Sequence, residues 1–118
     1  MISAMKNLVV YEHAVQLVIK IRVFIESHRD TIRSFDVQDQ IRRSSLSVAL
    51  NIAEGSGLPS KWFQKYLFIA GASANETCAL LDIIKKVYEI ETEDLQNEYV
   101  YLGKQITTLR KRLNQPFF

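Results

Sequence analysis

The sequence of 118 residues predicts an all-α protein, a single antiparallel up-down-up-down four-helix bundle over residues 1–118. Three observations carry this. Apolar residues recur at alternating spacings of three and four along four stretches, the period of a helix with a buried face. The chain has only 4 glycines and 2 prolines, too few for the many turns of a β-protein. The breaks between stretches are short, which makes successive helices antiparallel neighbours. A core of this size can stabilise a fold without disulfides or metal.

The first helix is expected from about Leu8 to Ser27. Val10, Ala14, Leu17, Ile21 and Phe24 form its core seam, with Tyr11, Val15, Val18 and Ile25 as a second stripe beside it. Glu12, His13, Gln16 and Lys20 make its clear polar strip. Two apolar stripes exceed what one bundle core covers, so the second is expected against a partner subunit. The run Ile19-Lys20-Ile21-Arg22-Val23 alternates like a strand, but the longer helical period outweighs it.

Ser34 or Asp36 can cap the second helix, which runs to about Glu54 with Val37, Ile41, Ser45, Val48 and Ile52 on its seam. Gly55 and Gly57 are expected to end it by taking the left-handed conformation, with Pro59 preventing continuation. Ser60 is the expected cap of the third helix, which runs to about Glu89. Its seam is Phe63, Leu67, Ala70, Ala74, Thr77, Leu81, Ile84 and Tyr88, a heptad pattern without a fault. The small residues from Ala70 to Ala74 mark a tight helix crossing. Thr92 is the expected cap of the fourth helix, with the seam Leu95, Tyr99, Leu102, Ile106, Leu109 and Leu113 and with Pro116 closing it.

Composition narrows function. The lone cysteine, Cys78, points to a reducing, cytoplasmic, bacterial-type setting. No apolar run approaches the ~18 residues of a membrane span, and no signal-peptide pattern opens the chain, so no membrane partner is expected. The net charge of +2 is mild, but its distribution is not. In the antiparallel bundle one end gathers Lys6, Lys61, Lys65, Arg110, Lys111 and Arg112 against Glu12 and Glu54. The other end holds nine carboxylates, Glu26, Asp30, Asp36, Asp39, Glu89, Glu91, Glu93, Asp94 and Glu98, against six cations. In a cyclic oligomer the basic ends align and reinforce one another.

The second helix carries the string Asp39-Gln40-Ile41-Arg42-Arg43-Ser44-Ser45-Leu46-Ser47-Val48-Ala49-Leu50-Asn51-Ile52-Ala53-Glu54-Gly55. It closely resembles the signature of the bacterial four-helix-bundle family that includes proteins encoded within intervening sequences of 23S ribosomal RNA genes and accessory proteins of diversity-generating retroelements. The opening Leu8-Val9-Val10-Tyr11-Glu12-His13-Ala14 is similar to the family's first helix, and Tyr66-Leu67-Phe68-Ile69-Ala70 with Ser73, Glu76 and Leu81 to its third. Ala72, Ala79 and a break lacking the usual proline depart from the family pattern. The resemblance implies a homopentamer, no known catalysis, and a basic surface suspected of binding nucleic acid. For retroelement accessory members it implies work beside a reverse transcriptase.

Two sets of residues follow as candidates. The first is a nucleic-acid surface of Lys61, Trp62, Lys65, Arg110, Lys111 and Arg112, holding RNA or DNA phosphates electrostatically, with Trp62 as a stacking platform. The same surface facing an acidic partner would make the protein a scaffold or accessory subunit of a nucleic-acid enzyme. The second is a structural or interface network of Arg42, Arg43, Ser47, Asn51, Glu54 and Glu76. Adjacent arginines diverge by about 100° on a helix, so Arg42 and Arg43 are not expected to face one site; one is expected to pair with Asp39 or Glu76. Ser47, Asn51 and Glu54 share one polar stripe.

No catalytic residue, metal-ligand set or cofactor is nominated, because Glu-x-x-His spacing is missing and Gly55-Ser56-Gly57 follows a helix instead of opening one. His13 and His28 lie over about 20 Å apart on the first helix and are read as surface residues. Cys78 is read as an inert thiol.

Overall fold

The computed structural model describes residues 8–114, and within them four helices and no strand. These are α1 (Val9–Ser27), α2 (Phe35–Ser56), α3 (Ser60–Tyr88) and α4 (Glu93–Leu113). Lys6 and Pro116, expected at the basic end and the closing turn, lie outside the described residues. Each helix packs on the next, and α4 returns to α1, in a body of 54 × 23 × 20 Å. Paired positions move oppositely along neighbours: His13 meets Gln105, while Lys20 meets Glu98. Likewise Ser44 meets Thr77, and Ser47 meets Ser73.

The core is built from the four seams. Val10, Ala14, Leu17 and Ile21 of α1 are buried as expected, but Ile25 rather than Phe24 continues them. The heptad drift of a straight helix carries the stripe round by one position there. Tyr11, Val15 and Val18 are half-buried and pack on the core of their own bundle, so the second stripe is partly covered without a partner. The fully exposed apolar residues of α1 are instead Val9, Ile19 and Val23. On α3 every seam residue from Phe63 to Ile84 is buried, and Tyr88 is half-buried.

Helix ends depart from expectation in informative ways. Ser34 caps α2 by accepting the Val37 N–H at 3.3 Å. The other two hydroxyls do not cap. Ser60 donates to the Leu113 carbonyl, and Thr92 donates to the Leu81 carbonyl, so both link α3 and α4. The α4 start is served by Glu91, whose carboxylate accepts the Glu93 N–H at 2.7 Å.

The glycines after α2 are not left-handed, since Gly57 has φ −91° and no described glycine has positive φ. Gly55 lies inside α2 and serves close approach to α3. The left-handed residue is Glu89, at φ 55° after α3.

α3 also corrects the expectation that no stretch approaches a membrane span. It is 29 residues long, with a mean hydropathy of 1.4 over an 18-residue window, sufficient by length and composition to cross a bilayer. The cause is the charge-free run from Tyr66 to Asn75. A third of that window, 33%, is buried inside the bundle.

Candidate nucleic-acid interface

The last carbonyls of an α-helix have no partner within the helix. At the end of α4 the Leu113 carbonyl accepts from Ser60 Oγ at 3.0 Å and Gln64 Nε2 at 3.3 Å. These two bonds bring the first turns of α3, with Lys61, Trp62 and Lys65, beside Arg110, Lys111 and Arg112. The juxtaposition expected from the sequence is therefore present, although the six candidates do not share one face.

Arg110 and Lys111 line a groove of 650 Å³ between α3 and α4, with Phe68, Ala72 and Lys104. Gly71 and Gly103 contribute its small residues, and a Cβ on Gly103 would meet nothing within 4 Å. The Arg110 guanidinium carbon stands 5.0 Å from the Phe68 ring centroid, a cation–π distance. Its Nε is buried without a hydrogen-bond partner. On α3, Lys65 Nζ lies 5.4 Å from the ring of Trp62, which is 51% exposed. Arg112 faces another way, lining a groove between α1 and α4 with Val9, Thr108 and Leu109.

Lys104 was not among the expected residues. It stands seven positions before Lys111, two helical turns, and both line the α3–α4 groove. That spacing was readable in the sequence, but not the side of α4 that borders α3. Five lysines and arginines elsewhere are ion-paired, while Arg22, Arg33 and Arg42 are unpaired among the described residues like this cluster. Among the described residues the pairs are Lys20–Glu98, Arg29–Glu26, Arg43–Asp39, Lys85–Glu93 and Lys86–Asp82, plus the longer His13–Glu98 approach. None involves Lys61, Lys65, Lys104, Arg110, Lys111 or Arg112.

The expected polar network is also part present. Ser47 Oγ meets Ser73 Oγ at 2.9 Å, and Asn51 Nδ2 donates to the Ser47 carbonyl at 2.8 Å and hydroxyl at 3.0 Å. Thr77 Oγ1 donates to Ser44 Oγ at 2.7 Å in the buried part of the α2–α3 contact. Glu54 and Glu76 do not join it. Both are exposed; Glu76 accepts from Gln40 at 2.8 Å, and Glu54 has no side-chain partner among the described residues. A helical stripe narrow in sequence fans outward at the helix surface, and these longer side chains end in solvent.

The histidines are not free surface residues. His13 of α1 is half-buried against α4, with Nδ1 2.6 Å from Gln105 Oε1. His28 is half-buried, bonded through Nδ1 to the Phe24 carbonyl at 2.9 Å, with its ring 4.7 Å from the Phe24 ring. Cys78 is half-buried and approaches the Gln96 carbonyl at 3.7 Å. Burial and the nearby Asp82 charge raise its pKa, which suits an unreactive thiol. No group of three or more potential metal ligands converges among the described residues.

Arg43 pairs with Asp39 at 3.6 Å, the pairing expected for one of the two arginines, while Arg42 bonds Gln38. Both line a cavity of 120 Å³ between α1 and α2, together with Arg22, Val18, Ser45 and Leu46.

The profile of the 23S rRNA-intervening sequence protein family matches residues 6–115. The chain belongs to this family. Its signature block, Asp39–Gly55, occupies most of α2 and supplies both the polar contacts to α3 and two of the three clustered arginines. A solved structure from Bacteroides thetaiotaomicron VPI-5482, described as a protein of unknown function from the S23 ribosomal protein family, is similar with a TM-score of 0.80. The likeness covers 87% of this chain and 96% of that one at 25% identity. No curated protein matches the chain.

Proposed function

We propose that this family member is a non-catalytic, cytoplasmic, oligomeric bundle that binds nucleic acid through the α3–α4 edge without strong sequence readout. The oppositely moving contact pairs support an antiparallel up-down-up-down course, which places the start of α3 and the end of α4 at one end. The observation that carries the reading is the ion-pair distribution. Every ion pair among the described residues lies outside the cluster of Lys61, Lys65, Lys104, Arg110, Lys111 and Arg112. Cations without internal partners are available to phosphates, and releasing condensed counterions supplies the free energy.

The groove favours a single strand. The exposed Phe68 that lines it and the exposed Trp62 in the first turn of α3 offer stacking surfaces beside point charges. Self-association of copies into a ring, of five in the family expectation, would repeat this edge and multiply its potential. A second reading is a scaffold or accessory subunit for a nucleic-acid enzyme such as a reverse transcriptase. It draws on the exposed Phe68, Val100 and Tyr101 near the same cations.

The test is a salt series of binding to single-stranded RNA, structured RNA, and single- and double-stranded DNA. The log–log slope should be steep, at about −0.7 per phosphate neutralised on a single strand. A Lys61→Ala/Lys65→Ala/Lys104→Ala/Lys111→Ala variant should flatten it; Arg110 is kept because it packs on Phe68. Absence of binding to all four ligands at low salt overturns the nucleic-acid reading and leaves the scaffold.

A further inference from the structure

The three arginines around the α1–α2 cavity have no part in the proposed nucleic-acid edge. Arg22 comes from α1, and Arg42 and Arg43 from α2. Arg43 meets Asp39 at 3.6 Å, and Arg42 Nη2 donates to Gln38 Oε1 at 3.3 Å. Arg22 forms no ion pair among the described residues, and Glu26, one turn along α1, is taken by Arg29 at 3.2 Å. Three arginines therefore line one small pocket, and only one of them is paired with a carboxylate. The pocket measures 120 Å³, room enough for a carboxylate.

The surroundings identify the source of that group. Val18 and Leu46 line the cavity. Leu46 is 46% exposed, and nearby on the same two helices Ile19 is 58% and Leu50 55% exposed. The cations here are all arginine, whereas lysines predominate on the α3–α4 edge. Arginine beside aliphatic surface is the composition of a protein–protein contact, where lysine is depleted. A phosphodiester backbone gains nothing from leucine and isoleucine.

The chain also offers the complementary charge. Glu12, Glu54 and Asp94 are exposed and form no ion pair among the described residues. We infer that the Arg22–Arg42–Arg43 cavity is an acceptor for a carboxylate of a second copy of this chain, seated by the exposed aliphatic residues of α1 and α2. This rests on the oligomeric part of the proposed function. The site is incomplete in a single chain, because its guanidinium forks lack the bidentate acceptors that the second copy supplies.

The experiment measures the solution mass of the full chain by sedimentation and light scattering over a protein dilution series, at low and high salt. It compares the wild type with Arg22→Gln/Arg42→Gln/Arg43→Gln and with Leu46→Glu, and uses Lys61→Gln/Lys65→Gln as the control. Circular dichroism confirms that each variant is helical. The expected result is a wild-type multimer whose self-association weakens about 30-fold or more in the arginine variant, with the control unchanged. If the arginine variant fails to fold, the aliphatic variant decides in the same way. A multimer of wild-type mass in the folded arginine variant overturns the inference and leaves the oligomer standing. A monomeric wild type at all concentrations overturns both. Loss of RNA binding in the arginine variant at unchanged mass assigns the cavity to phosphate and also overturns the inference.

Discussion

Gly55 of α2 lies against Tyr66 of α3 so closely that a Cβ added at Gly55 would stand 2.6 Å from the Tyr66 Cβ and 3.0 Å from Phe63 Cδ1. The atom in the way is the stiff root of a side chain, not its flexible end. Relief therefore requires the two helices to separate. Overpacking of this kind costs about 1–3 kcal/mol. Gly55→Ala should lower stability by that amount in a denaturant titration, although alanine is the better helix former. An unchanged midpoint would mean that the α2–α3 crossing is looser than described.

The Tyr99 hydroxyl is buried in the core without a hydrogen bond. Ser45 lies close enough to draw its pKa down, but the two hydroxyls form no bond of ordinary geometry, and Ser45 donates instead to the Arg42 carbonyl at 3.0 Å. A lone buried hydroxyl is a cost that phenylalanine removes. Tyr99→Phe should be neutral or stabilising by up to about 1 kcal/mol. Clear destabilisation would reveal a bond to that hydroxyl.

The same burial gives a pH dependence. Desolvation, with the Glu98 charge adding to it, holds the Tyr99 pKa well above the ordinary tyrosine value of 10.0. The folded chain then keeps its proton where the unfolded chain loses it. Above about pH 10 the unfolded state binds fewer protons, so stability falls as pH rises, by up to about 1.4 kcal/mol per unit. Below pH 10 this contribution is fully present. Chemical denaturation between pH 9 and 11.5 should show a steeper decline in the wild type than in Tyr99→Phe.

Glu89 takes the left-handed conformation, at φ 55°, after the last turn of α3. That conformation costs a side-chain-bearing residue about 1–2 kcal/mol, part of which glycine returns as backbone entropy. Glu89→Gly should raise stability by about 0.5–1 kcal/mol, read as a rise in melting temperature of several degrees. Glu89→Val should lower it.

Thr77 bonds both Ser44 Oγ at 2.7 Å and the Ser73 carbonyl at 2.9 Å, and it is fully buried. Thr77→Val preserves shape and removes both bonds. Each typical buried bond is worth about 0.5–1.5 kcal/mol, so the expected loss is about 1–2 kcal/mol in thermal or chemical unfolding. Ser47→Ala, at the half-buried edge of the same contact, should cost less. The reverse order would place the specificity of the α2–α3 contact at its rim.

The seams of Phe63–Ile84 and Val10–Ile21 were legible in the sequence because a helix repeats every 3.6 residues wherever it packs, and burial follows that period locally. The same is true of Ser34, whose capping bond reaches only three residues ahead. Ser60 and Thr92 have equally good capping chemistry, but each found a carbonyl of another helix. A hydroxyl bonds whichever acceptor is presented, and the acceptors at Leu113 and Leu81 come from packing.

The sequence by itself determined an all-α chain, the position of its four helices, its family, and the meeting of the α3 start with the α4 end. All of these depend on local period, short connections or a contiguous motif. Tertiary structure decided that Gly55 is needed for contact, not for a turn. It also decided that Lys104 joins the basic groove, that Glu54 and Glu76 stand apart from the polar contacts, and that Arg22, Arg42 and Arg43 line one pocket. These depend on the rotation and axial register of one helix against another. Those two quantities are set jointly by all the core side chains at once, and no single stretch of sequence encodes them.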